Sequence, residues 1–322
     1  MTDTPHQADP DQVGYSLANV SEALLACLDA AGARSVVEVG AFRGSLTAVL
    51  LDWAAERGAT VTAVDPEPPP ELLELAAARP ELTLLEATSH EALRQVELPG
   101  AVILDGDHNY FTLTGELEIL AERAPGAALP LLLFHDVCWP HARRDSYYAP
   151  ERVPDELRQP LARGAKLRPD EPGVARTGLP FDCAAAREGG ERNGVLTAIE
   201  DFIGAHQGIR LAVVPAFFGF GVAWHEDAPW SAAVATALAP LDRNPVLARM
   251  ERNRVAHLVA AFARAQDLQA ASEDAARLRG LLARLLDSRA LGAAEVLSRI
   301  RQRGAPVVSR EEIRDALEPG GK

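Results

Sequence analysis

Two short runs hold most of the residues able to do chemistry: Asp105-Gly106-Asp107-His108 in LDGDHNY, and His135-Asp136 in LLLFHDV. Each follows a brief apolar run of the kind that forms a buried parallel strand, so each sits at the carboxyl end of a strand. Open α/β sheets hold their ligands beyond that edge. Asp105 and Asp107 are two apart, and Gly106 between them permits a turn that spreads them. Two carboxylates and an imidazole in one crevice can hold a hard or borderline divalent cation. Without a cation, two ionised carboxylates there would repel. Each residue also has a plain reading: Asp105 as a helix cap, His135 as a satisfied core histidine.

A third strand end lies upstream, in Val36-Val37-Glu38-Val39-Gly40-Ala41-Phe42-Arg43-Gly44-Ser45. Gly40 would let backbone approach a ligand, and Gly44 would let the next helix start close to the sheet. The three-glycine dinucleotide fingerprint is absent, and Phe42 and Arg43 leave little room for a pyrophosphate. Glu38 inside an apolar strand is costly unless paired, so it is expected to orient loop amides or meet a cationic ligand. Asp65 ends the next strand, where a carboxylate can accept both hydroxyls of a ribose. Together these point to a nucleoside without a diphosphate. Thr88 and Ser89 follow the third strand and could bond the base edge, although helix capping explains Ser89 equally well.

The elements that must position these groups alternate strictly. Helices are expected over Ser16–Ala31, Ser45–Arg57, Glu71–Ala78, His90–Gln95 and Tyr110–Arg123. Between them lie strands at Ser35–Val39, Thr60–Val64, Leu82–Leu85, Ala101–Leu104 and Leu131–Phe134. That is a doubly wound α/β sheet. Residues 1–13 read as a disordered tail, 14–236 as the main domain and 237–322 as a helical C-terminal region. From 137 to 193 the pattern breaks into a long proline-rich stretch read as lid and substrate loops. A helix over Val195–Ala205 follows, then two strands, Arg210–Val214 and Phe217–Trp224, as an antiparallel hairpin at the sheet edge. Phe217, Phe218 and Phe220 are expected to pack those strands. The C-terminal region reads as helices over Asn244–Ser288, Leu291–Ile300 and Glu311–Leu317, the last opened by a capping box of Ser309 and Glu312. It could form a homodimer, pack on the main domain or stand as an arm; its heptads are too irregular for a coiled coil.

With 48% apolar and 24% charged residues in 322, the chain can build a full core. A net charge of −14 argues against a nucleic-acid surface. Cys27, Cys138 and Cys183 have neither metal-site nor disulfide spacing, which fits a reducing compartment. There is no signal-like start and no apolar run of membrane length. The expectation is a cytoplasmic protein with no membrane partner.

EVGAFRGS, Asp65 and the DGDHNY…HD pair resemble the class I S-adenosylmethionine-dependent methyltransferases. Within them the chain looks closest to the small-molecule O-methyltransferase branch of macrocin and mycinamicin O-methyltransferases and cephalosporin hydroxylase-like proteins. The resemblance spans roughly residues 15–140. It implies a mostly parallel seven-stranded Rossmann-like sheet with S-adenosylmethionine as cofactor. Glu38, Gly40, Phe42, Gly44, Ser45, Asp65, Thr88, Ser89, Asp105 and Asp107 would surround that cofactor. It further implies Asp105, His135 and Asp136 as ligands of a divalent metal, and His108 as the base that takes the acceptor's proton. Relatives often carry a carboxylate where this chain has His135; a histidine there is weaker for magnesium and more tolerant of manganese or zinc, or else makes His135 a base or substrate contact in a site without metal.

Trp139, His141, Arg143, Arg144, Tyr147 and Tyr148 follow the Asp136-Val137 pair and form an aromatic-basic set at the cleft mouth. Such residues can stack on a ring or sugar and pair with a carboxylate. The expected activity is methyl transfer to a hydroxyl of a small polar molecule, a natural product or sugar-like acceptor. The competing readings are a hydroxylase-like or hydrolytic metal enzyme on the same scaffold and a nucleoside-binding protein without turnover.

Overall fold

The computed structural model describes residues 14–300 and 310–317. The expected tail over 1–13 and the capping residue Ser309 lie outside the described residues. The chain divides into two compact units, with the boundary between Phe262 and Ala263.

The first unit is built on a seven-stranded sheet. Its elements are α1 (Ser21–Ala31), β1 (Ser35–Val39), α2 (Ser45–Arg57), β2 (Thr60–Val64), α3 (Pro70–Ala78), β3 (Leu82–Leu85), α4 (Ser89–Gln95), β4 (Ala101–Leu104), α5 (Tyr110–Arg123) and β5 (Leu131–Phe134). Then come β6 (Leu161–Leu167), β7 (Leu179–Ala185), α6 (Val195–Ala205), β8 (Ile209–Val214), β9 (Phe220–His225) and α7 (Ser231–Leu238). The helix α8 (Pro245–Leu286) crosses the boundary, and α9 (Arg289–Ile300) and α10 (Arg310–Leu317) follow in the second unit.

The strand order is β3-β2-β1-β4-β5-β9-β8, parallel except for β9, which is antiparallel to both neighbours. This is the doubly wound, mostly parallel sheet expected from the alternation. β4 and β5 are buried along their whole length because helices cover both faces, which is why their sequences run apolar without alternating. One core layer sets Leu24, Leu28, Leu50 and Trp53 against Ile103, Leu133 and Phe220. The other sets Leu113, Leu117, Leu120 and Phe202 against Val37, Leu132 and Phe134. β1 and β4 are adjacent, and the chain leaves them in opposite directions across the sheet. That is the switch point where a crevice opens at the carboxyl edge.

Three expectations needed correction. The first helix breaks at Val20 (φ −124, ψ 22); a 3-10 turn over Leu17–Val20, capped by Ser16, precedes α1. The last strand starts at Phe220, not Phe217, because Phe217, Phe218 and Gly219 all have positive φ (51, 66 and 99). The 137–193 stretch also carries a sheet of its own: β6 and β7 pair antiparallel from Leu161↔Ala185 to Leu167↔Leu179. Ala165, Leu167 and Ala184 on these strands are fully buried. No helix among the described residues is long and apolar enough to cross a membrane.

Candidate active site

Four of the singled-out side chains meet at the carboxyl edge. Asp105, after β4, places Oδ1 3.1 Å from Nδ1 of His135, after β5. The same Nδ1 is 3.7 Å from Oδ2 of Asp136, and that Oδ2 is 3.4 Å from Nε2 of His108. Consecutive residues leaving a strand would point to opposite faces. Asp136 escapes this because its φ of 58 turns the carboxylate back toward the His135 ring. Asn109 caps α5 through Thr112 N–H, which starts the helix directly after His108.

Burial and charge set the protonation of this group. His108 is pushed down to about 4 by burial, partly offset by Asp136, so it is neutral at physiological pH. Burial also pulls His135 down, but Asp105 and Asp136 outweigh it and raise it to about 10. Burial raises the Asp136 carboxyl, against the pull of His135 and His108. The His135 imidazolium thus places one positive charge where two carboxylates converge.

A divalent cation could do the same. Nε2 of His135 is 2.9 Å from the carbonyl oxygen of Phe217, which can only accept, so this nitrogen carries the proton. In the neutral ring Nδ1 then has its lone pair aimed at Asp105 and Asp136. One ligand atom from each of Asp105, His135 and Asp136 lies within 4.8 Å of the others. Two carboxylate oxygens and one imidazole nitrogen with a pinned outer N–H suit manganese, zinc or magnesium. The residues present therefore fit a divalent ion.

The glycine loop opens into the same space. A cleft of about 410 Å³ is lined by Glu38, Gly40, Phe42 and Ser45 on one side and by Asp105, His108, His135 and Asp136 on the other. Gly40 (φ +84) packs so tightly against the main chain after β4 that an added Cβ would lie 2.1 Å from the Asp105 carbonyl oxygen. Glu38 is buried, and Thr47 on α2 donates to its Oε2 at 2.6 Å. Burial raises that carboxyl to about 7, helped by the charges of Asp105 and Asp65. Phe42 (φ 46) stands 53% exposed at the mouth, held by its N–H to Asp65 Oδ2 at 3.1 Å. Gly44, in left-handed conformation, starts α2.

Several expected contacts are placed elsewhere. Asp65 does not line the cleft; its two oxygens accept the N–H groups of Phe42 and Glu67, which tie the loop down. Thr88 forms a capping box with Glu91, and Ser89 bonds the buried Glu116. Asp107 also lies off the cleft, accepting from Tyr148 N–H, and burial raises it to about 6.

The aromatic-basic set divides. His141, Tyr147 and Tyr148 line the cleft; Trp139, Arg143 and Arg144 do not. Arg143 pairs with Glu200 and bonds Thr197 on α6. Arg144 is 0% exposed and donates to the carbonyls of Ala185 and Pro172, so its charge secures the loop and is not available to a substrate. Trp139 packs against the buried residues of β6 and β7. The His141 ring stacks on His108 at 5.0 Å and meets Phe181 edge-on.

The far wall comes from residues the sequence reading passed over. Tyr15 and Ser16 enter from the segment before α1, and Pro180, Phe181, Asp182 and Cys183 from β7. Phe218, expected to pack the final strands, lines the cleft and stacks on Tyr15 with centroids 5.2 Å apart.

No family model and no curated protein matches the sequence. Among solved structures the chain is similar to an SAH-bound methyltransferase from Podospora anserina, at 14% identity over 69% of this chain and 84% of that one, with a TM-score of 0.41. It is also similar to a putative caffeoyl-CoA O-methyltransferase from Staphylococcus aureus, at 11% identity, 68% and 94% coverage and a TM-score of 0.39. A third is a putative O-methyltransferase from Klebsiella pneumoniae, at 15% identity, 69% and 83% coverage and a TM-score of 0.37.

Proposed function

We propose that the protein is an S-adenosylmethionine-dependent O-methyltransferase acting on a small molecule. One observation carries this reading: the glycine loop and the Asp105–His108–His135–Asp136 cluster open into a single cleft at the sheet's switch point. The loop side suits a nucleoside without a diphosphate, because Gly40 brings main chain to the cleft while the three-glycine turn of a pyrophosphate site is absent. The cluster side offers a neutral imidazole beside fixed carboxylates, which suits taking a proton from a hydroxyl.

When bound, S-adenosylmethionine supplies an electrophilic methyl, and a divalent ion held by Asp105, His135 and Asp136 would acidify the acceptor hydroxyl. His108, neutral and edged by Asp136, accepts the proton; Asp136 stabilises the charge that His108 gains. Asp105 ties the halves together, its main chain against Gly40 and its carboxylate on His135. The walls of His141, Tyr148, Phe181 and Phe218 favour a flat, ring-bearing acceptor. With Arg143 and Arg144 committed to the protein itself, an acidic acceptor loses its expected partners. A neutral, ring-bearing natural product therefore fits more readily than a charged sugar acid.

Three free, separated cysteines are in keeping with a reducing, cytoplasmic setting. The exposed Leu268, Leu278, Leu281 and Leu285 on α8 support a homodimer through the C-terminal helices, which light scattering would test. The functional test is calorimetric titration with S-adenosylmethionine, S-adenosylhomocysteine and NAD. Binding of the first two without the third is expected; failure of both to bind overturns the reading. Asp105→Ala and His108→Ala should keep nucleoside affinity and abolish transfer.

A further inference from the structure

We propose that Glu251, on α8, is a positioning residue for the cleft: it fixes the Phe217–Phe218 turn whose carbonyl pins the His135 ring. Glu251 lies outside the sheet and outside every motif that marks the site. Its carboxylate is 9% exposed and accepts four N–H donors. Phe217 N–H reaches Oε2 at 3.0 Å and Phe218 N–H reaches Oε1 at 2.8 Å. Arg254 closes the other side in a fork, Nε to Oε2 and Nη2 to Oε1, both at 2.7 Å.

Those two amides belong to a strained turn. Phe217 and Phe218 have φ of 51 and 66, a region that aromatic residues rarely occupy unless the surroundings over-determine it. Converging N–H groups on one carboxylate supply that determination. The Arg254 guanidinium adds to it, lying 4.4 Å from the Phe218 ring centroid and 5.4 Å from that of Phe217. The inverted backbone turns the Phe217 carbonyl toward the His135 ring, 2.9 Å from Nε2. It also sends the Phe218 carbonyl to Cys138 N–H at 2.7 Å, which anchors the chain just past Asp136. One carboxylate therefore sets both the proton position on His135 and the path of the loop that carries Asp136. Outer hydrogen bonds of this type orient a functional imidazole.

The inference rests on the proposed function only in treating His135 as part of the reacting cluster. Its test is independent of turnover. In full-length protein labelled with 15N-histidine, the His135 Nε2 proton is expected as a slowly exchanging resonance, assigned by its loss in His135→Asn. Glu251→Gln keeps the shape but replaces one acceptor oxygen with a donor. That variant should exchange this proton at least ~tenfold faster, with S-adenosylhomocysteine affinity within about twofold of the parent. An unchanged resonance in a folded Glu251→Gln protein overturns the proposal. Should Glu251→Gln fail to fold, Arg254→Met leaves the carboxylate but loosens its clamp, and faster exchange is again expected. An unchanged resonance there is equally fatal. If S-adenosylhomocysteine binds neither parent nor variant, the methyltransferase reading falls, while the resonance still decides the role of Glu251.

Discussion

Replacing Gly40 by Ala tests whether the two halves of the cleft are joined through main-chain contact. An added Cβ would lie 2.1 Å from the Asp105 carbonyl oxygen, 2.5 Å from its carbon and 2.7 Å from Gly106 Cα. All three are backbone atoms with no side-chain rotation to relieve them. Ordinary contact begins near 3.4 Å, so the strand end must move by about 1 Å. That movement strains the bonds from Gly40 N–H to Val64 O and from Asp105 N–H to Val39 O, at 2.9 and 3.0 Å. Losing or weakening both costs about 2–3 kcal/mol, since each buried amide is left short of a partner. The left-handed conformation adds about 1 kcal/mol. Gly58→Ala is the control: Gly58 has φ +62 with nothing within 4 Å of its added Cβ, so only the conformational cost of about 1 kcal/mol applies. Thermal unfolding should then fall by roughly 6–16 °C for Gly40→Ala and roughly 2–4 °C for Gly58→Ala. S-adenosylhomocysteine affinity should drop only in the former. Equal stability loss in the two variants, with equal affinity, would refute the coupling.

Three further outcomes are expected. Thr47→Val removes the donor to Glu38 and should destabilise by about 1.5–3 kcal/mol at pH 8 but only about 0.5–1.5 kcal/mol at pH 5, where the carboxyl is neutral; urea titrations at both pH values read this. Manganese binding followed by electron paramagnetic resonance should weaken at least ~tenfold in His135→Ala and Asp136→Asn; parent-like binding in both would remove these residues from any metal site. Glu116 is buried with Oε1 unpartnered, and burial raises its carboxyl to about 8. The folded state therefore holds a proton that the unfolded state releases, so stability is greatest below the ordinary carboxylate pKa and declines as pH rises toward 8. The slope is at most about 1.4 kcal/mol per pH unit. Glu116→Gln should flatten that decline, seen as a higher unfolding temperature than the parent at pH 8 and little change at pH 5.

The sheet was legible because buried parallel strands write themselves as unbroken apolar runs. Val102–Leu104 and Leu131–Phe134 could hardly be anything else. Asp105, His108, His135 and Asp136 were legible for the same reason, since polar residues directly after such runs land on one edge. β6 and β7 were missed because LARGAKL and LPFDCAA lack β-branched residues and clean alternation; their pairing depends on long-range closure. The roles of Arg143 and Arg144 were unreadable because a basic residue looks alike in sequence whether it meets a ligand or a buried carbonyl. Phe217 and Phe218 read as strand because aromatic residues favour strands. Nothing local announces the positive φ that Glu251 imposes from 33 and 34 residues away.

The ties between the 137–193 segment and its neighbours have a kinetic consequence. Lifting the 137–193 segment off the sheet would part Arg143 from Glu200 and Thr197 on α6, and would strip the buried Asp145 carboxyl of the Tyr110 and Gly194 N–H donors, at 2.8 and 2.6 Å. A buried polar group is expensive to leave without partners. The segment therefore behaves as a fixed wall, and the side chains free to swing aside are exposed ones that line the cleft, Phe42 and Tyr148, at 53% and 78% exposed. Rotation of exposed side chains takes picoseconds to nanoseconds, whereas hinged loops take microseconds to milliseconds. Under the proposed activity, exchange of spent cofactor for fresh is then expected to be paced by how tightly the cleft holds it, not by the opening of a door.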